Sequence, residues 1–262
     1  MKPLTHFPMK IQSTLLLAVS ALFLSLSFAQ AEDPSLLFEM RTYHANEGKL
    51  DALNARFRDH TIELFDKHRM VNVGYFVPVK NDGNVLIYLL AYPDKASREA
   101  SWKAFMDDKD WKKAYAKSIA DGKLVKKVDS LFLNPTPYSP IFRIEKEDPA
   151  RIFELRQYTT NKGKLENLDL RFQDHTVNLF EKHGMTNLPY FHIADGQEGA
   201  GNTLVYLLAH KDKESRIASF KNFGADPKWK AASTASEVDG KLLIKGGVKS
   251  TILVPTDYSP MQ

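Results

Sequence analysis

The chain contains no cysteine in 262 residues. That excludes disulfides, thiolate zinc sites, iron–sulfur clusters and cysteine nucleophiles together. It also lacks a gathered charge of one sign: Lys+Arg 36 against Asp+Glu 32 leave a formal +4, spread along the chain. Nucleic-acid binding needs clustered positive charge, so no nucleic-acid partner is expected. Catalytic spacings are equally sparse. No Gly-x-Ser-x-Gly elbow, His-x-x-x-His or His-Glu-x-x-His occurs, which leaves a hydrolase nucleophile and a metal site without support. Gly196, Gly199 and Gly201 precede no Gly-Lys-Ser/Thr and open no helix, so they do not read as a phosphate cradle. What remains, 43% hydrophobic and 26% charged residues, is a globular composition that excludes wholesale disorder and a multi-span membrane protein.

A single long apolar run is present, Thr14 to Phe28. Lys2 and Lys10 precede it and Ala29-Gln30-Ala31 follows, the three-part pattern of a secretory signal peptide. The run is shorter than the ~20 residues that span a bilayer, so residues 1–31 are expected to be cleaved after Ala31. Met1 and Met9 both suit the start of such a peptide. The expectation is a periplasmic or secreted chain with no membrane attachment after cleavage.

The rest of the sequence is one unit written twice. Phe38-Glu39-Met40-Arg41-Thr42-Tyr43 returns as Phe153-Glu154-Leu155-Arg156-Gln157-Tyr158, a shift of 115. The shift holds through Arg56-Phe57-x-Asp59-His60-Thr61 and Arg171-Phe172-x-Asp174-His175-Thr176, and on to Tyr75-Phe76 and Tyr190-Phe191. A slightly larger shift then aligns Trp111 with Trp229, Asp121-Gly122-Lys123-Leu124 with Asp239-Gly240-Lys241-Leu242, and the tails Tyr138-Ser139-Pro140 and Tyr258-Ser259-Pro260. Repeat 1 spans 35–140 and repeat 2 spans 150–260.

In repeat 1, residues 36–44 alternate as a strand. Leu50, Leu53, Phe57, Leu64 and Phe65 make one amphipathic helix between Glu47 and His68. Runs at 71–79 and 84–92 are strands joined across Asp82-Gly83. A second helical stretch opens at Asp94 or Ser97, and 123–133 closes the unit as a strand. The order β-α-β-β-α-β is ferredoxin-like. Its sheet needs a cover on the face away from the helices, and the other repeat supplies one.

The F-E-x-R-x-Y strand, the Gly-Lys-Leu helix start, the Lys-His-Gly helix end, the Asp-x-x-Trp turn and the closing Tyr-Ser-Pro together resemble the NIPSNAP family. The resemblance implies an α+β fold, two ferredoxin-like repeats packed sheet to sheet as an intramolecular dimeric α/β barrel. That superfamily includes cofactor-free monooxygenases, haem-degrading enzymes and small-molecule binders. The family itself has no agreed reaction, so no cofactor is named, and fold is implied far more strongly than function.

The strand alternation places Glu39, Arg41 and Tyr43 on one face, with Glu154, Arg156 and Tyr158 matching them. Phe38 and Met40 take the other face, expected to be covered by helices. With the two sheets facing each other, the six polar residues would line the space between repeats. Two readings stay open there. The arginines and tyrosines could bind a ligand, or Glu39 and Glu154 could hold Arg41 and Arg156 in ion pairs that fix a structural seam. His60 and His175, each one helical turn after an arginine (Arg56, Arg171), are further ligand-binding candidates beside a structural reading. Trp102, Phe105, Trp111 and Tyr115 are core residues or a pocket wall. Three functions follow: a binding protein for a small, partly apolar ligand in or beside the barrel, a metal-free monooxygenase-like enzyme, or a protein–protein interaction module. The repeats are expected to pair within the chain, with further oligomerisation left open.

Overall fold

Both repeats form strands where apolar residues alternate and helices where they recur at three- and four-residue steps. The computed structural model describes residues 36–262; the signal-peptide reading therefore lies outside the described residues. Repeat 1 contributes β1 (Leu37–Ala45), β2 (Val71–Pro78), β3 (Val85–Tyr92) and β4 (Val125–Pro135). Repeat 2 contributes β5 (Ile152–Thr160), β6 (Thr186–Ile193), β7 (Thr203–His210) and β8 (Leu243–Pro255). They close into one antiparallel barrel in the order β1-β3-β2-β8-β5-β7-β6-β4. Closure is made by two short ladders between repeats, Phe76–Pro78 on Leu253–Pro255 and Leu133–Pro135 on Phe191–Ile193. These ladders are three residues long, so the rest of β4 and β8 pairs on one side only, with β1 and β5 respectively.

The helix expected from Glu47 to His68 has three parts. α1 (Leu50–Arg56) and α2 (Ile62–Lys67) flank a π-helical turn, Phe57–Thr61, which recurs in repeat 2 between α5 (Leu165–Arg171) and α6 (Val177–Lys182) as Phe172–Thr176. Thr61 Oγ1 donates to the Arg56 carbonyl (3.1 Å) across the widened turn. The second helical stretch also divides, into α3 (Lys95–Asp107) and α4 (Lys109–Ser118), with α7 (Lys213–Ala225) and α8 (Pro227–Ser236) as its copy. Asp94 caps α3 by accepting from the Ser97 amide (2.6 Å). Asp108 breaks the stretch because its extended backbone and side chain cap α4, accepting from the Asp110 amide at 2.7 Å.

The two strand faces are the reverse of the sequence expectation. Phe38 and Met40 point into the barrel, and Glu39, Arg41 and Tyr43 point outward under the helices. The interior is an apolar core shared by the repeats, with Phe38 against Phe191 and Phe76 against Phe153, each pair 4.9 Å between ring centroids. Within it lies a cavity of about 10 Å³ lined by side chains such as Met40, Leu155 and Leu207. That is barely room for one water. The physical reason is burial without partners. A facing sheet offers Glu39 and Arg41 no hydrogen bonds, whereas the helix roof carries arginine, tyrosine and indole donors.

The repeated tails cross over. Thr136 and Ser139 bond the backbone of Tyr190, with the Tyr190 amide donating to Ser139 Oγ (3.0 Å). Tyr138 donates to Asp169 (2.7 Å). Reciprocally, the Tyr75 amide donates to Ser259 Oγ (3.0 Å), Tyr258 donates to Asn54 (2.6 Å), and Arg58 forms a two-pronged pair with Asp257 (2.7 Å each). Each repeat thus ends by clasping the other.

Candidate functional site

Glu39 is fully buried on the helix-facing side of β1. It accepts from Arg98 of α3 through two bonds of 2.9 Å, from Ser130 of β4 at 2.6 Å, and from Arg41 at 2.5 Å. Trp102 and Tyr92 complete the shell, each 3.3 Å away. Burial by itself would raise the Glu39 carboxyl; the Arg98 bonds, the Arg41 charge and Ser130 outweigh it and hold the group below its ordinary value. Glu154 repeats this arrangement with Arg216, Arg156, Ser250 and His210, and lies well below the carboxylate range. The two glutamates are therefore organising centres within their own repeats. The seam role expected of them is corrected: the repeats meet through apolar side chains, edge ladders, tails and the Gln197 side chain bonded to the Phe132 backbone.

Arg41 leaves Glu39 and stacks over Trp102, with its guanidinium carbon 4.4 Å from the ring centroid. Beyond it opens a cavity of about 650 Å³ between the sheet and helices of repeat 1. Tyr43 and Arg41 form its strand side, Phe57 and Phe65 its floor, and Trp102, Trp111 and Tyr115 its helix wall. Met106, Tyr115 and Val128, all exposed, ring the opening together with Lys112, Lys123 and Lys126. Of the sequence candidates, the structure brings Arg41 and Tyr43 to this cavity.

It does not bring His60. The π-helical turn carries Arg58, Asp59 and His60 to solvent, and His175 is exposed in the same way. The one-turn spacing from arginine to histidine fails because a π-helical turn holds an extra residue. What the turn keeps inside is the arginine. Arg56 lines the cavity at 6% exposure, flanked by the Trp111 and Tyr115 rings at 5.4 Å each. Its one side-chain hydrogen bond among the described residues goes to Ser118 Oγ (3.3 Å), and its Nε has no partner. Desolvation lowers its pKa, and a guanidinium nonetheless stays charged. The sequence marked Arg56 only as a neighbour of His60. The signal available was its place one residue before an aromatic of the apolar stripe.

His68 and His183 take a structural part. His68 Nε2 bonds Asp108 (2.7 Å) beside Lys67 (2.8 Å), and His183 and Lys182 bond Asp226 likewise. These contacts tie the end of α2 to the α3–α4 break and the end of α6 to the α7–α8 break.

A closed eight-stranded barrel built from two βαββαβ halves, with helices outside, defines a dimeric α/β barrel held in one chain. The NIPSNAP family model matches residues 38–140 and 153–260, and the chain belongs to the NIPSNAP family. A NipSnap homolog from Dictyostelium discoideum is 23% identical over 209 residues, covering 78% of this chain and 83% of its own. Among solved structures, a Lactobacillus acidophilus protein provisionally described as a monooxygenase superposes with TM-score 0.54 at 10% identity, over 84% of this chain and 94% of that one. A Fusobacterium nucleatum protein with the same provisional description gives TM-score 0.52 at 13% identity, over 84% and 92%. These likenesses establish the barrel fold.

Proposed function

We propose that this NIPSNAP protein, after export, binds a small, partly apolar molecule in the cavity between the sheet and helices of repeat 1. The observation that carries the reading is the cavity itself. At about 650 Å³ it falls within the volume range of small-molecule sites, and its aromatic walls converge on two arginines and a tyrosine. A protein–protein module needs no such aromatic-lined cleft. The tight packing of the barrel centre supports a site beside the barrel over one inside it.

Occupancy is read with N-phenyl-naphthylamine, an uncharged aromatic probe that fluoresces on leaving water. One equivalent per chain is expected to bind. Val128→Trp, which adds a ring at the opening, is expected to reduce uptake strongly. No uptake, or uptake indifferent to that variant, refutes the reading. Native and denaturing mass spectra of the chain from its host's exported fraction report both a carried ligand and cleavage after Ala31.

A further inference from the structure

The two repeats share their architecture, yet they treat their buried arginines differently. In repeat 2, Arg156 donates both to Glu154 and to the Tyr158 hydroxyl (2.7 Å). Arg171 has Ser236 Oγ at 3.4 Å and the Glu237 carboxylate at 3.9 Å. Glu237 is joined in turn by Lys241 (2.6 Å). In repeat 1 the position of Glu237 is occupied by Ile119, which lines the cavity. Arg56 consequently faces no carboxylate among the described residues, and Arg41 reaches Glu39 but makes no bond to Tyr43.

The opening repeats this contrast. Lys126 of repeat 1 corresponds to Ile244, and Tyr115 to Ser233. Lys123 and Lys126 have no acidic partner among the described residues, whereas Lys241, the counterpart of Lys123, is taken by Glu237. Under the helices, three arginines of repeat 1 (Arg41, Arg56, Arg98) share one carboxylate, while three of repeat 2 share two. The Nε atoms of Arg56 and Arg171 are alike unpaired; what differs is the charge, since Arg171 has the Glu237 carboxylate beside it and Arg56 has Ile119. A buried guanidinium open to an aromatic cavity with no carboxylate at hand is costly unless an anion completes it.

We infer that the repeat 1 cavity selects an anion: a compact apolar or aromatic body carrying one carboxylate- or sulfonate-like head, received by Arg56 with Arg41, and that Glu237 supplies the corresponding negative charge internally in repeat 2. This rests on the ligand-site reading above and adds the charge class and the choice of repeat. The lysines at the opening draw an anion toward it, and the Trp111 and Tyr115 rings hold the Arg56 plane for in-plane hydrogen bonding.

The test compares anilinonaphthalene sulfonate with N-phenyl-naphthylamine, the same body without the charge, on the mature chain. Wild type is expected to bind the sulfonate at least about tenfold more tightly, the scale of one charge-assisted hydrogen bond. Ile119→Glu, which gives repeat 1 the carboxylate of repeat 2, is expected to remove the preference for the sulfonate over the uncharged probe. Arg56→Gln provides an independent loss of preference, with melting curves confirming that both variants fold. Glu237→Gln is expected to leave the preference unchanged. Equal binding of the two probes by wild type, or a preference that survives both Ile119→Glu and Arg56→Gln, overturns the anion inference while the ligand site stands. Loss of the preference in Glu237→Gln overturns the assignment to repeat 1. Binding of neither probe overturns both.

Discussion

Replacing Glu39 by Gln should destabilise the protein without changing its shape. The side chain is fully buried and receives bonds from Arg98, Arg41 and Ser130, so Gln keeps the volume while removing the charge that two arginines share. Removing one partner of a buried pair typically costs 3–5 kcal/mol. Arg41 and Arg98 retain 13% and 21% exposure and partial hydration, which places the cost at the lower end, about 3 kcal/mol. For a chain of this size that corresponds to roughly 6–12 °C in melting temperature. The sign of the pH dependence is a sharper check. The folded Glu39 carboxyl lies below its ordinary value of 4.5, so its contribution is complete above that value and is lost as pH falls below it. The gap between wild type and Glu39→Gln should therefore be full at neutral pH and shrink in acid, followed by urea denaturation at each pH. A gap below about 1 kcal/mol at neutral pH, or one that widens in acid, would refute the ion-cluster account.

Ser259→Ala leaves the buried Tyr75 amide without its acceptor and should cost about 1–3 kcal/mol in urea denaturation; Ser139→Ala should cost a similar amount through Tyr190. Glu154→Gln should show the same acid-attenuated loss as Glu39→Gln, since its carboxyl is held still further down. His60→Gln and His175→Gln together should leave both melting temperature and probe binding unchanged, because both rings face solvent; a loss of binding would restore the histidines as site residues. Residues 36–150 produced alone should sediment as a dimer, since β2 and β4 lose their partner strands and the apolar face loses its cover. A stable monomer would show that closure between repeats is dispensable.

Strand order and the pairing of two ferredoxin-like sheets were legible because duplication exposes the unit and alternation exposes its strands. The direction of the faces was not. Period-two alternation separates Phe38 and Met40 from Glu39 and Arg41, but it carries no label for which set meets helices. The deciding information lay far along the chain, in the Arg98 and Trp102 donors of α3 that make the roof the polar side. The candidate site was half legible. Arg41 and Tyr43 reach the cavity, whereas the histidines leave it because a π-helical turn is invisible to a 3.6-residue pattern. Arg56 was hidden by ordinary composition: an arginine beside an apolar stripe usually extends to water. The tails were read as repeated words, and their crossing to the opposite repeat is a tertiary fact with no local signature.

Two identical subunits assembled about a twofold axis must carry identical cavities, so any substitution tuned for one is imposed on its mate. Joining the halves through residues 141–150 removes that constraint, since each position exists as two separately encoded residues. Ile119 and Glu237 are one location with two answers, and so are Tyr92 and His210. The crossed tails keep the halves docked as a pair while this divergence proceeds, and a pseudo-symmetric scaffold can thereby host one loaded chamber and one silent counterpart.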